Sequence, residues 1–215
     1  MLVKDYMTRH PVLVDPEMSI VEAQSIMAET KVRHLPVVGN GKRLQGLITR
    51  QRMRIPPTEL ASLNVWEITR FLSNLKVKDV MVKRKDVITV QSDIALEEAA
   101  KMMVENKIGS LPVIEDEVVI GIITEIDMMV QLTELLGGNE PGVRVTIRMP
   151  NVKGELAKTT KAISDQGWAI YASGGVQTPK EPDHWDCVIK VRDVSKEELT
   201  AVLEKIEDQE IIDIR

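Results

Sequence analysis

Cysteine is almost missing from this chain. Cys187 is the only one, so no disulfide can close within it, and the framework of a small secreted disulfide fold is excluded. Aromatic residues are nearly as scarce: three Trp, two Tyr and one Phe make up 3% of the sequence. The core must therefore be assembled from Val, Ile, Leu, Met and Ala. No apolar run approaches the ~18 residues needed to cross a bilayer, and Met1-Leu2-Val3-Lys4-Asp5 lacks the apolar stretch of a signal peptide. These absences lead us to expect a cytoplasmic protein with no membrane partner. Positive charge is in deficit, with 28 Lys and Arg against 33 Asp and Glu and a net charge of -5. That argues against nucleic acid as a partner, because nucleic-acid binders present a concentrated basic face. Histidine is limited to His10, His34 and His184, and the motifs G-x-S-x-G, H-E-x-x-H and C-x-x-C are absent. Asp183-His184-Trp185-Asp186-Cys187 brings a His near the Cys, but alternation along a strand accounts for it. Without a nucleophile, base and orienting group in one pattern, an enzyme is not expected. No catalytic residue, metal site or cofactor is expected either.

What the chain does have is an internal repeat. Ile20-Val21-Glu22-Ala23 matches Leu96-Glu97-Glu98-Ala99, and His34-Leu35-Pro36-Val37-Val38 matches Ser110-Leu111-Pro112-Val113-Ile114, both at an offset of 76 residues. Gly46-Leu47-Ile48-Thr49 matches Gly121-Ile122-Ile123-Thr124, and Asp5-Tyr6-Met7 matches Asp79-Val80-Met81, at offsets of 75 and 74. Ordered matches at near-constant spacing mark a duplicated module rather than an array of short repeats. Each copy begins with a short strand, Val12 to Val14 or Val87 to Val90. An amphipathic helix follows, with Ser19 and Glu22 as a capping box in the first copy. Two strands then pair across a turn, Leu35 to Val38 with Leu44 to Thr49, and Leu111 to Ile114 with Val118 to Thr124. A second helix is expected directly after Thr49 and after Thr124. Between the copies, Ile55-Pro56-Pro57 breaks the chain. Leu60, Leu63, Ile68, Phe71, Leu72 and Leu75 then suggest a linking helix. The expected layout is a paired module over 1–138, with copies at 1–55 and 76–136 and a linker helix at 56–75.

Both copies resemble CBS motifs, whose hallmarks are a buried LPVV-like strand and a G-h-h-T-x-x-D end. The resemblance covers roughly residues 1–135. Thr124-Glu125-Ile126-Asp127 carries that end intact. Its plain reading is a capping box. Its functional reading uses the same geometry: a helix N-terminus favours a phosphate, and a carboxylate beside it can accept ribose hydroxyls. The resemblance implies that Thr124 and Asp127 hold phosphate and ribose. The other walls would come from Asp86, Val87 and Ile88 and from Ile108, Gly109, Ser110, Leu111 and Pro112, with apolar side chains sandwiching a base. Val12, Arg33, His34 and Thr49 complete the candidate nucleotide-binding set, Arg33 as a phosphate contact. In the first copy, Thr49-Arg50-Gln51-Arg52 places Arg52 where the acid belongs. Guanidinium has no acceptor, so this site is either degenerate or suited to something more anionic.

Pro141-Gly142 opens a second domain, expected over 141–215. Strand Val143 to Met149, a helix with Leu156, Thr160 and Ile163 on its face, strands Trp168 to Val176 and Trp185 to Val191, a helix capped by Ser195 and Glu198, and strand Ile211 to Ile214 follow in order. This β–α–β–β–α–β order is ferredoxin-like and resembles an ACT domain. The resemblance makes the Asn151-Val152-Lys153-Gly154 loop a candidate amino-acid site, with Asn151 and Gly154 as its residues. The loop lacks the family's acid and proline, so packing or dimerisation is the alternative. The whole order resembles the AcuB type of bacterial acetoin-utilisation protein. The fold class expected is therefore α+β, tandem β–α–β–β–α motifs plus a ferredoxin-like domain. The function expected is a regulatory sensor that binds an adenine nucleotide and signals to an unidentified target through rearrangement of a homodimer. The alternatives are a dimerisation scaffold with degenerate sites and an S-adenosylmethionine sensor.

Overall fold

The computed structural model describes residues 1–54 and 64–215. Its contacts divide the chain into two compact units, Met1–Met128 and Met129–Arg215. The division falls earlier than the Gly137-Gly138 and Pro141-Gly142 signals suggested, because the last helix of the second copy runs across it. The expected linker positions Leu60 and Leu63 lie outside the described residues. Helix α3 (Val65–Asn74) is present beyond them, opened by a reciprocal capping box between Asn64 and Glu67.

In the first unit each copy contributes the expected helix and hairpin. The first has α2 (Ile20–Glu29), β2 (His34–Val38) and β3 (Leu44–Thr49). The second has α5 (Leu96–Asn106), β5 (Ser110–Glu115) and β6 (Val118–Thr124), followed by α6 (Glu125–Leu135). Ser19 caps α2 by accepting the Glu22 N–H at 3.2 Å. Its face Ile20, Ala23 and Met27 is buried, as is Leu96, Ala99 and Met103 on α5. Two expectations need correction. The leading strands shrink to single parallel bridges, Val14 to Val37 and Val90 to Val113, because one residue of each reaches the hairpin before the chain turns into the helix. No helix starts at Thr49: Arg50 to Met53 form a turn. Arg52, unlike Asp127, has no carboxylate to close a capping box onto the strand end.

An exchange between the copies, which local periodicity does not reveal, builds both sheets. Short helix α1 (Val3–Tyr6) and strand β1 (Thr8–Arg9), ahead of the first copy, dock on the second: β1 pairs antiparallel with β6, giving the sheet order β1-β6-β5. Helix α4 (Val77–Val80) and strand β4 (Val82–Lys83), ahead of the second copy, dock on the first, giving β2-β3-β4. Val3 lies in one core with Val90, Leu96, Met103, Leu111 and Ile123, and its N–H donates to the Ile94 carbonyl at 2.9 Å. Val77 enters the other core with Ile20, Met27, Leu35 and Ile48, donating to the Met18 carbonyl at 2.9 Å. The exchange explains the glycine of G-h-h-T. A Cβ at Gly46 would lie 2.5 Å from the Val82 carbonyl oxygen, and one at Gly121 would collide with Met7 Sδ. A third cluster, with Leu44, Leu47, Val87, Ile114 and Val119, draws on both copies.

The second unit carries β7 (Val143–Pro150), α7 (Glu155–Asp165), β8 (Ala169–Gln177), β9 (His184–Arg192), α8 (Lys196–Leu203) and β10 (Glu210–Ile214) in an antiparallel sheet ordered β10-β7-β9-β8. Ser195 and Glu198 form the expected reciprocal capping box. Helix α7 is rotated relative to the expected face: Glu155, Thr159 and Ile163 point inward and Leu156 is exposed. The buried carboxylate is satisfied, accepting from Lys158 Nζ at 2.6 Å and from Gln209 Nε2 at 3.0 Å, which is what permits an acid on the inner face.

The exchange predicts where a core cavity will be felt. Val3→Ala removes about two buried methylenes from the second copy's core and should cost about 2 kcal/mol in urea denaturation. A midpoint indistinguishable from wild type would show that the N-terminal segment does not dock there.

Candidate functional site

Among the described residues of the first unit, the repeat relates two cavities. The larger, about 610 Å³, is walled by Asp86, Val87 and Ile88 and by Lys107, Ile108, Gly109 and Ser110 of the second copy. It is closed by Leu47, Thr49, Arg50, Gln51, Arg52 and Arg54 of the first. The smaller, about 320 Å³, is walled by His10, Pro11 and Val12 and by Lys31, Val32, Arg33 and His34 of the first copy. It is closed by Ile122, Thr124, Glu125, Ile126 and Asp127 of the second. Each cavity thus takes its walls from one copy and its strand end from the other. Arg33 and His34 line both.

This placement regroups the candidate residues. Asp86, Val87, Ile88, Ile108 and Ser110 stand with Thr49 and Arg52, while Thr124 and Asp127 stand with Val12, Arg33 and His34. Leu111 and Pro112 lie in buried β5 and line neither cavity. Sequence reasoning missed Lys31 and Lys107, which lie 76 residues apart, the same offset as the strongest repeat matches. Both take a left-handed backbone, φ 58° and 54°, where the helix C-terminus turns toward the cavity. Arg50 and Arg54 also belong to the larger cavity.

At the smaller cavity the intact strand end does two jobs. Asp127 Oδ2 accepts from the Thr124 backbone N–H and from its hydroxyl, both at 2.7 Å. That is the capping box. Among the described residues Oδ1 accepts from no protein donor, so its lone pairs are available to a ligand hydroxyl. At the larger cavity the Thr49 hydroxyl accepts the Arg52 N–H at 3.3 Å and, among the described residues, its own proton meets no acceptor. Charge separates the two. Among the described residues the larger cavity has Arg33, Arg50, Arg52, Arg54 and Lys107 against the single carboxylate of Asp86. The smaller sets Lys31 and Arg33 against Glu125 and Asp127. In the second unit a cavity of about 250 Å³ is lined by Arg148, Glu181, His184, Asp208, Gln209 and Glu210. Asn151 and Gly154 are not among its walls, and both are exposed. Among the described residues no group of three or more His, Cys, Asp or Glu could hold a metal ion, and no helix is long and apolar enough to cross a membrane.

The sequence model of the CBS domain family matches residues 3–54 and 77–134, about half of the chain. Solved structures agree. An acetoin-utilisation (AcuB) assignment from Vibrio cholerae is 31% identical with a TM-score of 0.52, covering 66% of this chain and 98% of that one. The CBS domain pair of protein MJ0100, in complex with 5′-methylthioadenosine and S-adenosyl-L-methionine, is 28% identical with a TM-score of 0.50, over 65% and 98%. CBSX2 in complex with AMP is 26% identical with a TM-score of 0.51, over 62% and 96%. Among curated relatives, an uncharacterised protein of Methanocaldococcus jannaschii is 34% identical, and this chain spans 46% of its length. The inosine-5′-monophosphate dehydrogenase of the same organism is 33% identical, and the chain spans 22% of it. The chain thus matches less than half of either, and the enzyme carries its matching segment as one part of a longer protein.

His34 stands where both cavities meet. Burial holds its imidazole below the ordinary value of 6.5, the Glu125 carboxylate pulls it back up, and Arg33 pushes it further down. A folded-state value below the unfolded one means the unfolded chain binds the proton first. The stability this gives is present above about pH 6.5 and is lost as pH falls through the folded value. Between pH 7 and 5 the wild type should therefore lose stability faster than His34→Gln, measured by denaturant midpoints. Parallel losses would show that His34 is not held neutral by its surroundings.

Proposed function

This chain belongs to the CBS domain family, and we propose that it works as a ligand-sensing regulatory protein whose smaller cavity takes an adenine nucleotide. One observation carries the reading: Asp127 keeps Oδ1 free at the mouth of a helix N-terminus while Oδ2 secures the cap. A ribose can donate to that oxygen, and the N-terminal end of α6, with Lys31 and Arg33 opposite, can receive a phosphate. The apolar walls Pro11, Val12 and Val32 suit the faces of a base. The AMP, 5′-methylthioadenosine and S-adenosylmethionine bound by similar CBS pairs support the same ligand class. Binding would regulate by favouring one of two arrangements of a homodimer. Exposed apolar side chains such as Val104 and Val21 on the helices of the module support association. The C-terminal β–α–β–β–α–β unit serves, on this reading, as an ACT-like packing or dimerisation element, and a role in acetoin utilisation rests on the similarity to AcuB. Arg52 favours a second reading for the first copy alone, a site that has lost ribose binding.

Calorimetric titration with AMP tests the assignment. Asp127→Ala should weaken AMP binding about ten- to a hundredfold, the loss of a charge-assisted hydrogen bond or two. It also removes a helix cap worth about 1 kcal/mol, so the thermal midpoint is read alongside to confirm a folded variant. Unchanged affinity in a folded Asp127→Ala protein would remove the ribose role and leave the capping box alone.

A further inference from the structure

Corresponding positions around the two cavities differ in sign. Where the smaller cavity has Glu125 and Asp127, the larger has Arg50 and Arg52, at the repeat offset of 75. Resting on the reading of these cavities as ligand sites, we propose that the larger one holds a polyphosphate anion by its phosphates, with little regard to any base attached.

Three features converge on this. Arg50, Arg52, Arg54 and Lys107 surround the space and Arg33 adds a fifth cation; among the described residues of the wall the only carboxylate is Asp86. The Glu125 carboxylate, which lines the smaller cavity, also comes close to Gly109 of the larger one, its Oε2 lying 3.2 Å from where a Cβ would stand, and so limits the anion site at that end. Such a concentration of guanidinium groups in a concave wall costs self-repulsion that a multiply charged anion relieves. Second, donors are present and the ribose acceptor is not. Arg52 offers five N–H groups and no acceptor, and among the described residues the Thr49 hydroxyl has no acceptor for its proton, whereas Thr124 spends its proton on Asp127. Third, Ser110 is 2% exposed, and among the described residues its Oγ has no hydrogen-bond partner. A buried hydroxyl without a partner is costly, and Ser110 belongs to the wall of this cavity. A phosphate oxygen there would satisfy it. A volume of about 610 Å³ against about 320 Å³ leaves room for a phosphate chain. The same charge disfavours a sulfonium ligand.

The test is calorimetry on the full chain with ATP, GTP and inorganic tripolyphosphate at low and high salt. In an Asp127→Ala background, which weakens the adenine site of the smaller cavity, affinities for ATP and GTP should agree within about threefold. Tripolyphosphate alone should bind, and salt should weaken all three. Arg50→Ala with Arg52→Ala should weaken each about ten- to a hundredfold by removing charge-assisted bonds. Both side chains are exposed in a turn, so the double variant should keep its thermal midpoint. Ser110→Ala should weaken tripolyphosphate severalfold. Lys101→Ala, which removes a surface cation paired with Glu105 outside both cavities, should change nothing. Preference for ATP over GTP beyond about threefold in that background, or no binding of tripolyphosphate, would overturn the proposal. So would equal losses in the Lys101 and double arginine variants. If tripolyphosphate fails while Asp127-dependent AMP binding persists, this inference falls and the reading of the smaller cavity stands; tripolyphosphate binding without AMP binding gives the converse.

Discussion

At Gly46 and Gly121 the backbone of another segment passes where a side chain would begin. Met81 and Val82 cross the first copy's strand there, and Met7 and Thr8 cross the second's. The rest of the first unit depends on this crossing. It carries Val3 and Val77 into the cores of the opposite copies and supplies the third strand of each sheet. A hairpin and a helix make a marginal core by themselves. The exchange completes two cores at once and makes neither copy independent of the other.

The same crossing accounts for the cavities. Because the chain ahead of each copy runs onto its neighbour, the loop that follows each crossing, His10 to Val12 or Asp86 to Ile88, faces the other copy's strand end. Two pseudo-equivalent sites result, each from both copies, sharing Arg33 and His34. Their frames are alike, so their chemistry is set by few side chains. On the proposed reading, a pair of acids in one and a pair of arginines in the other turn a ribose-accepting site into an anion-attracting one without altering the fold. The capping geometry follows: Asp127 closes onto Thr124 and opens a helix, while Arg52 leaves a turn.

Much of this was legible in the sequence, and the illegible parts share a cause. The repeat, the helix faces Ile20-Ala23-Met27 and Leu96-Ala99-Met103, the hairpins and the β–α–β–β–α–β order of the second unit follow from local periodicity and capping. What failed were statements about which distant segments meet. The offset matched Asp5-Tyr6-Met7 to Asp79-Val80-Met81, yet nothing local says that each docks on the other copy. Asp86 to Ile88 were therefore grouped with Thr124 and Asp127 on grounds of shared copy, when the crossing sends them to Thr49 and Arg52. The inward face of α7 is not legible locally, because Glu155 looks like a surface residue until Gln209 and Lys158 satisfy it. Lys31 and Lys107 were readable from the offset alone, but a lysine after a helix is ordinarily a solvated residue.

The central claim is that the two cavities are alike in construction and unlike in chemistry. A crystal structure of the full chain grown with AMP tests it most directly. The account predicts AMP in the cavity of Val12, Val32 and Thr124, with its ribose hydroxyls donating to Asp127 Oδ1 and no ribose against Arg52. A ribose ordered at the Thr49-to-Arg52 turn, with Asp127 serving only as the cap of α6, would contradict it.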